Sequence, residues 1–206
     1  MVQITKYQVV ICFILSALFV VGQQLTHETP IYLMNQSTIT YVQQITLLVS
    51  QLTPFILIVG WEERMQTGQG LNYFVRHKNR LQVMIKSYLH STIIVIVTTF
   101  AIILSQIFLT KQTGIDYRWL GVICFYVMWH LLQRIIESYF SSVSGLAMMV
   151  GMIGFGLFVK TPILLPILFL FGRFSELNTC KTIIMLMIIT GLYAGLGYIY
   201  RKKQVI

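Results

Sequence analysis

The sequence predicts an all-α integral membrane protein of six transmembrane helices. Hydrophobic residues make up 56% of its 206 positions and charged residues only 10%, whereas a soluble domain carries about a quarter charged residues. The apolar residues fall in separate runs close to the roughly 20 residues that cross a bilayer. Six such runs use about 120 positions. The remainder is short loops, so residues 1–206 read as a single transmembrane domain.

The runs follow in order. Residues 7–22 form the first. It follows Lys6 and lacks a clear small-x-small cleavage site before Gln23, so it reads as a retained span rather than a signal peptide. Residues 23–40 are a polar loop without Lys or Arg. Residues 41–60 are the second span, with Pro54 inside it. Proline removes a backbone donor and kinks a helix, which membranes tolerate when neighbours re-satisfy the freed groups. Residues 91–110 are the third span, rich in Ile, Val and Thr, and 111–118 a turn. The fourth begins at Trp119 and reaches useful length only if it continues past Arg134 to about Ile136. Residues 141–158 are the fifth, with Gly145, Gly151, Gly154 and Gly156, small residues that let helix backbones approach closely. Residues 182–200 are the last, followed by Arg201, Lys202 and Lys203.

Between the fifth and sixth spans, residues 163–171 are strongly apolar but split by Pro166. That stretch is too short to cross. It predicts a re-entrant apolar hairpin over residues 160–181, packed against protein.

Charge orients the chain. With both termini in the cytoplasm, ten Lys and Arg residues fall inside: Lys6, five between Trp61 and His90, Arg134, and the three at 201–203. Five fall outside: Lys111, Arg118, Lys160, Arg173 and Lys181. The excess of basic residues inside predicts a multi-pass cell-membrane protein with cytoplasmic N and C termini. The net charge of +9 then reflects orientation and contact with anionic lipid, not nucleic acid. Cys12, Cys124 and Cys180 are widely separated and have no metal-ligand spacing, so they read as small buried hydrophobes.

The long polar interruption from Trp61 to His90 carries most of the functional signal. Gly68 and Gly70 free the chain before Leu71, Phe74 and Val75, which share one helical face. Leu81, Met84, Ile85 and Tyr88 share another. Arg76, His77, Lys78, Asn79 and Arg80 separate the two stripes. A short amphipathic helix, a break at 77–79 and entry into the third span are expected. Such a helix either anchors to lipid or docks a soluble partner.

In this loop the chain resembles the permease subunits of ABC-2-type ATP-binding-cassette transporters. Those permeases have six spans and carry, after the second, Glu-x-Gly-Thr, a few apolar residues, Arg-Pro-x-Ser-Arg and a following Lys. Glu63, Gly68 or Gly70, residues 71–75, Arg76, Asn79, Arg80 and Lys86 stand in similar order here. His77 replaces the proline, Asn79 the serine and Leu71 the threonine. The resemblance implies a coupling helix with Leu71, Phe74, Val75, Arg76 and Arg80 as the docking residues. It implies a cytoplasmic ATPase subunit that holds ATP and Mg, a second permease copy (the same chain or a different one), and a hairpin before the last span. It also implies export, with an antimicrobial peptide or another amphipathic molecule as the substrate class. The chain carries no Gly-x-x-x-x-Gly-Lys-Ser/Thr segment, so no cofactor is expected on it. Gly191 and Gly195, at GxxxG spacing, suit close helix packing within or between copies.

An enzyme is not expected. Glu62 and Glu63 resemble the Glu-Glu-x-x-x-Arg motif of CAAX-type intramembrane proteases, but Thr67 stands where Arg is required. Phe125 lies five residues before His130, one too many for Phe-x-x-x-His. A membrane sensor or immunity protein without an ATPase partner is the other open class. No acidic residue lies in the middle of a span, which argues against a proton-coupled carrier.

One polar group stands inside a span. His130, Arg134 and Glu137 share a helical face. They are a candidate gate or substrate contact. Alternatively, Arg134 and Glu137 mark the cytoplasmic end of the fourth span and reach the interface, with His130 packed inside.

Overall fold

The computed structural model describes residues 6–24, 41–66, 80–110, 117–158 and 177–203. Among the described residues there are seven helices and no strand. They are α1 (Lys6–Gln24), α2 (Tyr41–Ile58), α3 (Trp61–Gln66), α4 (Arg80–Thr110), α5 (Arg118–Tyr139), α6 (Ser142–Phe158) and α7 (Thr179–Lys203). Of the hairpin expected at 160–181, residues 160–176 lie outside the described residues and 179–181 are the first residues of α7; the coupling stretch 67–79 also lies outside the described residues. Of the predicted docking set, only Arg80 is described, as the first residue of α4.

Four helices hold windows long and apolar enough to cross a membrane: Tyr41–Ile58, Ile85–Leu109, Arg118–Tyr139 and Thr179–Tyr198. Helices α1 and α6 hold the shorter apolar stretches Val10–Gly22 and Ser142–Phe155. The outer surface suits hydrocarbon. Phe13, Phe108 and Val143 are each at least 75% exposed. Soluble monomers rarely expose large apolar side chains over so wide a contiguous area, so the chain is a membrane protein.

Helix α5 is the centre of the bundle. It packs against α3, α4, α6 and α7. Its fully buried aromatic residues set the core. The Phe125 ring lies edge-on to Tyr126 at 5.4 Å and within 6.3 Å of Trp129. Tyr126 in turn meets Phe55 of α2 at 5.5 Å. Offset and edge-to-face aromatic pairs of this kind contribute beyond simple area burial. Val122, Leu131, Met149, Ile153 and Met185 close the core from α5, α6 and α7.

Pro54 stays within α2. Thr53 and Ser50 turn their hydroxyls back onto the carbonyls of Val49 and Leu47, at 3.1 and 2.8 Å. Back-bonding of this type satisfies a hydroxyl that has no water to meet.

Side-chain contacts give each helix its direction. Gln8 and Cys12 of α1 meet α2 near Ile56 and Thr53, so those two helices run antiparallel. Ser91 of α4 meets His130 of α5, and Thr92 meets Tyr193 of α7. A side chain added at Gly121, at the start of α5, would strike Leu177 at 2.9 Å. Helices α5 and α7 therefore begin side by side and run parallel. One end of the bundle collects the start of α1, the end of α2, all of α3, the start of α4, the end of α5 and the start of α6.

Candidate functional site

The polar residues of the bundle concentrate at that end. The organising stripe is on α5: His130, Gln133, Arg134 and Glu137, at i, i+3, i+4 and i+7. All four are buried, Arg134 to 1% and Glu137 to 6% exposure. This corrects one expectation. His130 packs inside as anticipated, but Arg134 and Glu137 do not reach toward an interface. Helices α3, α4 and α6 cover them.

Glu137 ties the stripe to the turn between α2 and α3. Its Oε1 accepts the backbone N–H of Gly60 at 3.2 Å and the Nε2–H of Gln133 at 2.9 Å. Gly60 has φ +69°, in the left-handed region where a side chain is strained. Glycine thus lets the chain turn sharply at the end of α2 and present an N–H to a buried carboxylate. Hydrogen bonds to ionised groups of this kind are roughly twice as strong as neutral ones.

Arg134 lies with its guanidinium 4.6 Å from the centre of the Tyr88 ring on α4. A desolvated cation over an aromatic face is a favourable contact. One turn along α5, His130 Nε2 lies 3.0 Å from Ser91 Oγ. The Ser91 hydroxyl donates to the carbonyl of Tyr88 at 3.0 Å. With that proton committed, Nε2–H of His130 is the donor to Ser91. The bare Nδ1 faces the interior, with no hydrogen-bond partner among the described residues.

Helix α3 is pinned on three sides. The Trp61 indole N–H donates to Ser87 of α4 at 2.9 Å, and the Trp61 ring sits 5.7 Å from His90. Arg64 donates to Gln8 of α1 at 2.9 Å and to the carbonyl of Val59 at 3.0 Å. Ser142 of α6 donates to Glu63 at 2.7 Å. Burial pushes the Arg64 guanidinium below its ordinary range. Glu137 pulls the other way, Arg134 adds to the depression, and Glu63 opposes it. A side chain at Gly145 would meet Cγ of Glu137 at 3.0 Å, so glycine there lets α6 close over the carboxylate.

Models of known protein families, curated proteins and solved structures give no match to this chain.

Among the described residues, no group of three or more His, Cys, Asp or Glu could hold a metal ion. Cys12 and Cys124 are buried, as expected, but Cys180 is exposed. The site instead joins five long helices through one short one. The structure brings together the predicted His130, Arg134 and Glu137, and adds Gln8, Gly60, Trp61, Arg64, Ser91 and Ser142. Gln133 was legible as the fourth member of the α5 stripe. Gln8 and Gly60 were not, because a lone polar residue in a span and a glycine before a loop occur often without a role.

The glycine pair on α7, expected to pack within the chain or between copies, meets no partner helix among the described residues. At Gly191 and Gly195, nothing among the described residues lies within 4 Å of an added side chain. Gly151 and Gly154 of α6 are equally open.

Proposed function

We propose that this chain is the membrane-spanning permease subunit of an ATP-driven exporter with the ABC-2 layout. In this reading it crosses the bilayer six times, with both termini and the polar end of the bundle in the cytoplasm. The starts of α1, α4 and α6 and the ends of α2, α5 and α7 then share one side, as alternating crossings require. The observation that carries the proposal is the seating of α3. This short helix leads directly into the basic stretch 67–79 and is fastened to α1, α4, α5 and α6. A force that reaches α3 from a soluble ATPase would pass to the central helix through the Gly60–Glu137 hydrogen bond.

The ATPase, with its ATP and Mg, is a separate chain, and a second permease copy completes the translocation path. The open glycine faces of α6 and α7 suit such a helix pairing. An amphipathic peptide is the substrate class this reading favours.

Co-expression with candidate ATP-binding-cassette ATPases, followed by pull-down and ATPase assay in lipid, tests the proposal. Binding by the native chain, and its loss or uncoupling in Phe74→Ala or Arg76→Glu, is the expected result. Repeated absence of any ATPase from the native complex would instead support a membrane sensor or immunity protein. Orientation has its own test. Single cysteines at Gln69 and Gln112 should differ, with only position 112 labelled by an impermeant maleimide in intact cells.

A further inference from the structure

A second feature lies away from the polar end, midway along the helices. A cleft of about 230 Å³ opens between α1, α2 and α4. Its floor is Phe19, Ser50, Thr53 and Ile102, all buried. Its rim includes Ser16 and Ala101, which are exposed, and Thr98 and Ser105, which are half-buried. Exposed Phe13, one turn before Ser16 on α1, and exposed Val97, one turn before Ala101 on α4, stand beside that rim. The mouth therefore faces the hydrocarbon of the bilayer rather than water.

The lining chemistry is specific. Five of the nine lining residues are Ser or Thr, and none is charged. Hydroxyl side chains usually favour helix interfaces because they let backbones close up, yet here they border open space. Four of them have already spent their proton. Ser50, Thr53, Thr98 and Ser105 donate to carbonyls of their own helices at 2.7–3.1 Å. Each oxygen keeps acceptor capacity. Pro54 adds to this, because it has no N–H and leaves the carbonyl of Ser50 without its helical donor. The cleft is thus rich in acceptors and poor in donors, within an apolar wall.

We propose that this cleft binds the hydroxyl-bearing end of a neutral, long-chain amphiphile that enters sideways from the bilayer. The hydroxyl supplies the donor that the floor lacks, and the chain fills the apolar wall and mouth. A charged headgroup is excluded, because no lining side chain would balance it and an unpaired charge at this depth is costly. The proposal requires only that the chain sits in a membrane. It stands or falls without an ATPase partner, so its failure and the failure of the exporter reading are separable.

The test uses the full chain in phosphatidylcholine nanodiscs with hexadecanol carrying a photoreactive diazirine. A hexadecane analogue with the same diazirine is the control. The alcohol should label residues 16–20, 50–53 and 98–105 saturably and be displaced by unlabelled hexadecanol. The alkane should label without saturation. The double variant Thr53→Val and Thr98→Val keeps side-chain shape and removes two of the acceptors open to the single alcohol proton, so it should weaken alcohol binding roughly tenfold, about one lost hydrogen bond, while alkane labelling stays unchanged. Ala101→Phe should fill the mouth and abolish saturable labelling. Alcohol labelling that rises linearly and resists displacement would identify bulk lipid as the occupant and overturn the proposal. Native affinity in the double variant, which replaces no apolar contact and is checked for a native melting profile, would overturn it equally.

Discussion

Helices α5 and α7 have nearly the same hydropathy, 1.4 and 1.6 over their best windows, and both are long enough to cross a membrane. Their surroundings differ sharply. The α5 window is 72% buried inside the protein and that of α7 only 22%. Helix α5 spends its burial on polar work: it carries His130, Gln133, Arg134 and Glu137 inward, where α3 and α4 supply partners. Helix α7 turns Ile183, Leu186 and Met187 outward and keeps Lys181 in its first turn. A charged side chain is tolerable in a span only where protein replaces the water it gave up. Average hydropathy cannot tell the two helices apart, because both contain enough apolar residues; what differs is the face on which the polar ones lie.

The strongest way to break this contrast is at Glu137. Glu137→Leu strands the Gly60 N–H and the Gln133 amide and removes the carboxylate that offsets Arg64. A loss of about 3–5 kcal/mol is expected, measured by chemical unfolding in mixed micelles. Glu137→Gln should recover a large part of it, since the amide oxygen can still accept from Gly60.

Packing provides the next contrast. Phe125→Ala should cost about 3 kcal/mol, because its fully buried ring leaves a cavity against Tyr126 and Trp129. Met187→Ala on α7, at 62% exposure, should stay within about 0.5 kcal/mol. Equal melting shifts for the pair would mean that α7 is not the lipid-facing helix described above.

Smaller effects sharpen the account of α3. Gly60→Ala forces a side chain into left-handed backbone and should lower stability by about 1–2 kcal/mol. The loss should be accompanied by faster proteolysis within residues 61–66, because the turn that seats α3 is strained. Trp61→Phe removes one hydrogen bond to Ser87 and keeps most of the ring, so about 1 kcal/mol is expected. A native melting temperature in Trp61→Phe would show that the ring alone, not its N–H, anchors the helix.

Parts of this organisation were legible in the residues themselves. The helix at Arg118–Tyr139 continues past Arg134, as its length demanded, and Pro54 sits inside α2 as a tolerated break. The inward face of α5 could be counted out at helical spacing from His130 to Glu137. The third apolar run was read from Ser91, but α4 begins at Arg80. Polar residues such as Ser87 and His90, which break the hydropathy run, are paired with Trp61 or packed against it and so do not end the helix. Nothing local marks Gln8 as the partner of Arg64, since 56 positions separate them and only the antiparallel pairing of α1 and α2 brings them together.

The sequence by itself determined that this is a helical membrane protein, where its apolar segments lie, and which helix carries a charged stripe. Those properties follow from composition and from the 3.6-residue period, which act along the chain. Only the tertiary structure decided that Arg134 and Glu137 are buried rather than extended to an interface. It alone placed α3 as the fastening between α1, α4, α5 and α6, and opened a hydroxyl-lined cleft beside Pro54. Each of these depends on which helix lies next to which. In a bilayer that choice is made by packing and hydrogen bonding between helices rather than by hydrophobicity, because lipid tails are as apolar as the side chains they meet.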